Sequence, residues 1–331
     1  MIHTLPQLVD NLQNKRVLVC PLYWGMGHAT RSLPIVNHYL EQGCEVWVAG
    51  NTPVLSFYEQ EQPKVHLLCF DNVVMHYQRR LPLWIVLLWQ LPKFVYGIAK
   101  EHRQFRTLIR QHHIDLVISD NRYGLWTRQV PCVFITHQLM VKMPKWCRWI
   151  EPLAHKMVLH FVRKYTQCWV PDREGNDNLS GDLAHKYPLS KNVRFIGTLS
   201  RFSRAEVAEK KYAYLVLLSG PEPQRTVLEN KLKAFLLNTH KPAVMLCGKP
   251  EREQHCQEEN LLIVNHASTA EIQHLVEQSE QLIVRSGYST LMDLEAWGKT
   301  AIIVPTPHQT EQEYLATLHS RRHSVVQQRE F

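Results

Sequence analysis

Arg16-Val17-Leu18-Val19-Cys20-Pro21-Leu22-Tyr23-Trp24-Gly25-Met26-Gly27-His28-Ala29-Thr30-Arg31 is the stretch on which the fold turns. Arg16 to Cys20 is a short apolar run rich in β-branched residues. Two glycines follow, and Leu33, Val36 and Leu40 then recur at helical spacing until Gly43. Strand, glycine loop and helix in that order open an α/β unit. Outward from it, apolar runs recur at Glu45 to Ala49, Val65 to Phe70, Asp115 to Ser119 and Cys132 to Thr136, separated by helix-length stretches. That rhythm is how a parallel sheet with crossover helices reads, so the first half is expected to be doubly wound.

The pattern restarts at Tyr212 to Leu218. A helix with Leu228, Leu232, Phe235 and Leu236 follows, then strands at Ala243 to Cys247, Leu261 to Val264, Gln281 to Val284 and Ala301 to Val304. Between the halves, residues 171–203 are polar and rich in Gly, Asn, Asp and Ser, which puts a domain boundary near Leu199. The expected domains are 1–199 and 200–331. A chain of 331 residues exceeds the usual single core, and 45% hydrophobic with 21% charged residues is a globular composition.

The eight cysteines form no C-x-x-C pair, so neither a zinc site nor a disulfide framework is suggested. Met1 to Lys15 lacks the apolar core of a signal peptide, and a cytoplasmic location is expected. A net charge of +8 calls for an acidic partner. The basic residues are not organised around any nucleic-acid module, so nucleic acid is not the expected one.

Ligands of open parallel sheets sit beyond the carboxyl ends of the strands, so the loops after strands carry the chemistry. Gly25 and Gly27 let backbone amides approach a ligand at a helix start. The dinucleotide fingerprint is excluded twice: its third glycine is missing, and the second strand ends in Ala49-Gly50-Asn51 without a ribose-binding acid. His28 is either a helix-capping histidine or a base at the mouth of a cleft. Asp120 and Asn121 follow the fourth strand and His137 the fifth; they read as acceptor contacts or as turn residues. In the second half, Ser219-Gly220 and Ser286-Gly287-Tyr288-Ser289-Thr290 each follow a strand and open a helix. Two such anion-ready turns in one sheet suggest a diphosphate. Asp293 and Glu313 also fit helix capping boxes with Thr290 and Thr310.

Arg285-Ser286-Gly287, Asp293, Gly298, Val304-Pro305, His308 and Gln312-Glu313-Tyr314 run in an order that resembles the carboxy-terminal donor domain of glycosyltransferase family 28. Gly25-x-Gly27-His28 resembles that family's first glycine loop, and Gly197-Thr198-Leu199-Ser200-Arg201 its interdomain segment. The resemblance implies the GT-B fold, two facing Rossmann-like domains with a cleft between them. It also implies a UDP-linked sugar donor and a lipid-linked acceptor. Carried over by position, the ribose-binding acid falls on Asp293, and the pair facing the donor sugar on Gln312 and Glu313. The implied reaction is a one-step inverting displacement with His28 as general base. The helix starts after Ser219 and Gly287, together with Arg201, would stabilise the leaving diphosphate. No Asp-x-Asp motif occurs, in keeping with a metal-independent reaction, and no cofactor is expected. A sugar-nucleotide epimerase of the same fold and a non-catalytic sugar-nucleotide or lipid-binding module stay open beside it.

Two apolar stretches lie inside basic rims. Leu81 to Trp89 is too short to span a bilayer and is flanked by Arg79, Arg80, Lys93, Lys100, Arg103, Arg106 and Arg110. Residues 143–165 carry Trp146, Trp149, Leu153, Met157 and Phe161 among Lys145, Arg148, Lys156, Arg163 and Lys164. Both are either core helices with solvated basic faces or a peripheral docking surface for the anionic inner face of a membrane.

Overall fold

The computed structural model describes residues 5–70, 83–220, 222–249 and 255–331. The chain divides into two compact units, one built mainly from residues up to Leu199 and the other mainly from Ser200–Phe331. Each is organised around its own seven-stranded sheet.

In the first unit the strands are β1 (Arg16–Pro21), β2 (Glu45–Gly50), β3 (His66–Cys69), β4 (Leu116–Asp120), β5 (Cys132–Ile135), β6 (Gln167–Val170) and β7 (Val193–Phe195). They lie in the order β3-β2-β1-β4-β5-β6-β7 and every pairing is parallel. Crossovers run through α1 (Gly27–Glu41), α2 (Thr52–Glu61), α3 (Leu83–Gln111), α4 (Glu151–Val162) and the short α5 (Asp182–His185). Strands β1, β4 and β5 are buried along nearly their whole length, which is why they read as unbroken apolar runs. Leu18, Cys20, Val117, Phe134, Cys168 and Val170 of the central strands form the core with Phe105 and Ile109 of α3 and Val158 of α4.

Strands β6 and β7 extend the sheet beyond the sequence expectation. β7 lies inside the polar stretch read as a boundary, because that stretch is organised internally. The buried carboxylate of Asp172 accepts the backbone N–H groups of Arg173, Leu179 and Ser180 at 2.8–2.9 Å, replacing apolar packing with local hydrogen bonds.

The second unit holds β8 (Tyr212–Leu217), β9 (Ala243–Leu246), β10 (His255–Glu258), β11 (Leu261–Val264), β12 (Ser279–Arg285), β13 (Ala301–Val304) and β14 (Ser324–Val325). Their order is β10-β11-β9-β8-β12-β13-β14, parallel throughout except for the antiparallel edge strand β10. Helices α6 (Gln224–Thr239), α7 (Thr269–Glu277), α8 (Tyr288–Trp297) and α9 (Thr310–Leu318) connect them. Leu228, Leu232 and Leu236 of α6 lie against Val216, Met245, Leu261 and Ile283 of the sheet. The edge strands β10 and β14 escape a sequence reading because His-Cys-Gln-Glu and a two-residue strand carry no apolar run.

Candidate active site

In each sheet the chain reverses winding direction at its centre, between β1 and β4 in the first unit and between β8 and β12 in the second. Loops beyond the carboxyl ends of such neighbours splay apart and leave room for a ligand. The loops that hold His28, Asp120, Ser219 and Ser286 are those at these two points.

In the first unit Pro21, the last residue of β1, pairs in register with Asp120, the last of β4. The Leu22 N–H donates to the Asp120 carbonyl at 3.0 Å, so loop and strand end are stitched together. Gly25 has φ +111°, a backbone geometry that favours glycine, and Gly27 begins α1. On α1, positions 28, 31 and 32 share one face, and all three reach the same carboxylate. His28 Nδ1 lies 2.9 Å from Asp120 Oδ1, Arg31 Nε donates to Oδ2 at 2.7 Å while its Nη2 reaches Oδ1, and Ser32 Oγ donates to Oδ2 at 3.2 Å. Arg31 Nη1 also lies 3.0 Å from Nδ1 of His137, which follows β5.

His28 therefore is not a cap. Its Nδ1 faces an acceptor-only carboxylate and carries the proton, so Nε2 holds the lone pair, and its side chain keeps 16% exposure. Burial lowers its pKa below the ordinary 6.5, against the pull of Asp120, so the imidazole is neutral near pH 7. Asp120 is fully buried, and Arg31 and His28 together hold its carboxyl well below the usual carboxylate range despite that burial. Asp120 reads in the sequence as an acceptor contact or a turn residue; in the fold its oxygens are engaged by the α1 side chains and hold the His28 ring in place. Asn121 has φ +59° and donates its N–H to the Ile135 carbonyl, a turn residue by conformation.

In the second unit Ser219 is exposed, and Gly220 adopts φ +102° with open space where a Cβ would stand. Across the switch point, β12 runs into Ser286, Gly287 and the start of α8. Ser286 is buried and its hydroxyl donates to the Gln312 carbonyl at 2.9 Å, tying this loop to α9. The Tyr288 side chain is also buried, which leaves the backbone of the first α8 turn, with the half-buried Ser289 and Thr290, as what this turn offers a ligand.

Neither expected capping box forms. Helix α8 is capped by Gly287, and Asp293 lies in the helix interior, where its Oδ1 accepts from Ser200 Oγ at 2.7 Å. Helix α9 is capped by Gln309, and Glu313 reaches past it to the His308 N–H at 2.9 Å, securing a left-handed residue at φ +66°. The Gln312 Oε1 accepts from the Thr306 N–H at 2.9 Å. Arg201 donates to Thr269 Oγ1 at 2.9 Å, and its charge acts on Asp293.

Comparison with known proteins fits this arrangement. A glycotransferase of kitacinnamycin superposes with a TM-score of 0.63 at 12% identity, covering 96% of this chain and 87% of the other. The glycosyltransferase SnogD from Streptomyces nogalater gives 0.58 at 13% identity over 96% and 88%. MurG of Acinetobacter baumannii gives 0.55 at 13% over 96% and 87%. No curated protein matches the chain by sequence. Residues 222–321 match the glycosyltransferase family 28 C-terminal domain. The chain has the GT-B fold.

Arg31, Ser32 and Ser200 are the residues bonded to the nominated groups that sequence reasoning passed over. The spacing His28-x-x-Arg31-Ser32 was the available signal, since it places a guanidinium and a hydroxyl on the helix face of the histidine. For Ser200 there was none, because its partner lies 93 residues away in sequence.

Proposed function

We propose that the protein transfers a sugar from a nucleotide-sugar donor, probed first as UDP-linked, to an acceptor hydroxyl presented at an anionic membrane surface on the cytoplasmic side. The buried Asp120 holding His28 at a sheet switch point carries the reading. His28 Nε2 takes the acceptor's hydroxyl proton as the oxygen attacks the anomeric carbon. The bond from that carbon to the diphosphate oxygen breaks, its electron pair leaves with the nucleoside diphosphate, and the configuration inverts. Backbone amides after Ser219 and Gly287 and the guanidinium of Arg201 offset the charge gained by the leaving group. Asp293 takes the ribose hydroxyls, and Gln312 and Glu313 face the donor sugar. This displacement is metal-independent.

Support for the membrane as the place of the acceptor comes from the surface of the first unit. Trp146 and Trp149, in the short 3-10 helix Lys145–Ile150, and Leu153 and Met157 of α4 are 65%, 78%, 67% and 49% exposed. Their spacing of three, four and four makes one stripe, bordered by the exposed Arg148, Lys156 and Arg163. The opposite face of α4 is fastened inward. Glu151, fully buried, accepts from the Met143 N–H at 3.1 Å and Lys186 Nζ at 2.5 Å, and the His155 ring nitrogens lie 2.9 and 3.1 Å from the carbonyls of Leu139 and Pro188. Val95 and Tyr96 of α3 are exposed as well. Two tryptophans with basic neighbours suit the headgroup layer of an anionic bilayer. Of the other stretch, Leu81 and Pro82 lie outside the described residues, as do the side chains of residues 83–91. Among the described residues no helix is long and apolar enough to cross a membrane.

The test is a screen of nucleotide sugars for release of nucleoside diphosphate, with and without membrane extract. Release that depends on the extract is expected. A nucleotide sugar altered without release would mark an epimerase, and binding without turnover a non-catalytic module.

A further inference from the structure

The reading of His28 as base leaves open why a guanidinium is buried beside it. Arg31 is 2% exposed, takes both oxygens of Asp120, and touches a second imidazole, that of His137. We propose that Arg31 is a positioning residue for the base, neutralising Asp120 so that His28 stands ready as a proton acceptor, and committing His137 to carry its own proton on Nε2. The proposal rests on His28 being the base.

Asp120 has no access to water, so its ionised form needs a counter-charge. In a lone histidine–carboxylate pair that counter-charge would be the imidazolium, and a protonated His28 accepts nothing. Arg31 removes the demand, because a guanidinium stays charged and its fork matches a carboxylate. The charged or titratable groups facing His28 are Asp120 at the end of β4, Arg31 on α1 itself and His137 after β5. Of these only Asp120 favours the imidazolium. Burial foremost, and then the Arg31 and His137 contributions, oppose it.

Hydrogen-bond direction fixes the second half. A guanidinium only donates, so the Nδ1 of His137 accepts from Arg31 and its proton resides on Nε2. The Nδ1 of His28, against a carboxylate, is the protonated nitrogen. The two imidazoles are thus set in opposite tautomers by one Asp120–Arg31 pair, with His28 an acceptor at Nε2 and His137 a donor there.

Long-range 1H–15N NMR of the histidine rings in the full chain tests this directly. At pH 7 the wild type is expected to show His28 protonated at Nδ1 only and His137 at Nε2 only. An imidazolium at His28, or a proton on Nδ1 of His137, overturns the proposal without any variant being made. In Arg31→Gln the His28 titration should move upward by about one unit or more, while Arg31→Lys, which keeps the charge, should restore most of that shift. A folded Arg31→Gln that titrates His28 as the wild type does also overturns it. Should Arg31→Gln fail to fold, the wild-type tautomers and the Lys variant decide. Full turnover in His28→Ala, with the titrations behaving as described, would remove the base assignment and leave the Arg31 effect standing.

Discussion

Ser200 Oγ donates to Asp293 Oδ1 at 2.7 Å, and this bond, with the charge of Arg201, is what opposes the burial of that carboxyl. Burial prevails, and the pKa is pushed up to about 7 from 3.8. The folded protein therefore holds this proton more tightly than the unfolded chain does. Its contribution to stability is complete below the unfolded value and is lost as pH rises through about 7. Urea midpoints for the wild type are expected to fall between pH 5 and pH 8, and Asp293→Asn should flatten that fall. An unchanged slope in the variant would show that Asp293 does not titrate in this range.

The same residue is expected to bind ribose. Asp293→Ala should weaken UDP binding by about 1–3 kcal/mol, the worth of a partly buried, hydrogen-bonded acid. Calorimetric titration reads the affinity, and a melt under the same conditions separates this from loss of fold.

His28→Ala should lower turnover by about two to four orders of magnitude with nucleotide affinity nearly unchanged. Because burial holds the pKa of His28 below 6.5, its imidazole is deprotonated in the neutral range. The rate at low substrate should hold from pH 8 down to about 6.5 and decline in more acidic buffer. A decline already complete at pH 7.5 would contradict this ordering.

Arg285, at the end of β12, is buried. Its guanidinium serves the carbonyls of Val304, Pro305 and Gln224 and the side-chain oxygen of Gln328, and burial lowers its pKa to about 10. Arg285→Met would leave four acceptors without their donor. A loss of about 1–3 kcal/mol in unfolding free energy is expected, and wild-type stability in that variant would show that water replaces the guanidinium.

Trp149→Ser with Leu153→Ser should abolish flotation with anionic vesicles while leaving the melting temperature in place, since both side chains are exposed. Each large apolar group withdrawn from water contributes about 1.5–3 kcal/mol, so losing two exceeds a tenfold change in partitioning. Wild-type protein that fails to float at low salt would move the expected acceptor to a molecule free in solution.

Much of this was legible from one dimension. The buried parallel strands announce themselves as apolar runs, and the rule that ligands sit beyond strand ends picked out His28, Asp120, Ser219 and Ser286 before any geometry was known. What stayed hidden is how those groups are used. Asp120 and Ser286 look alike as polar residues after strands, but one holds the His28 ring and the other ties a loop to α9, and only the partners distinguish them. The capping signature at Thr290 and Asp293 failed for a plain reason. Helix α8 begins at Tyr288, two residues ahead of the threonine, so the acid falls in the second turn, where no backbone N–H is left to cap. The strip on α4 was ambiguous in sequence because inward and outward apolar stripes share the same periodicity, and only the fold shows that this one faces out.

That strip also governs how the protein behaves in a test tube. Two tryptophans, a leucine and a methionine side by side form an adhesive surface when no bilayer is present, and cationic residues at the margin keep copies apart only while salt is low. Purified in concentrated salt without detergent, the enzyme should self-associate through this face, and a mild non-ionic detergent should disperse it.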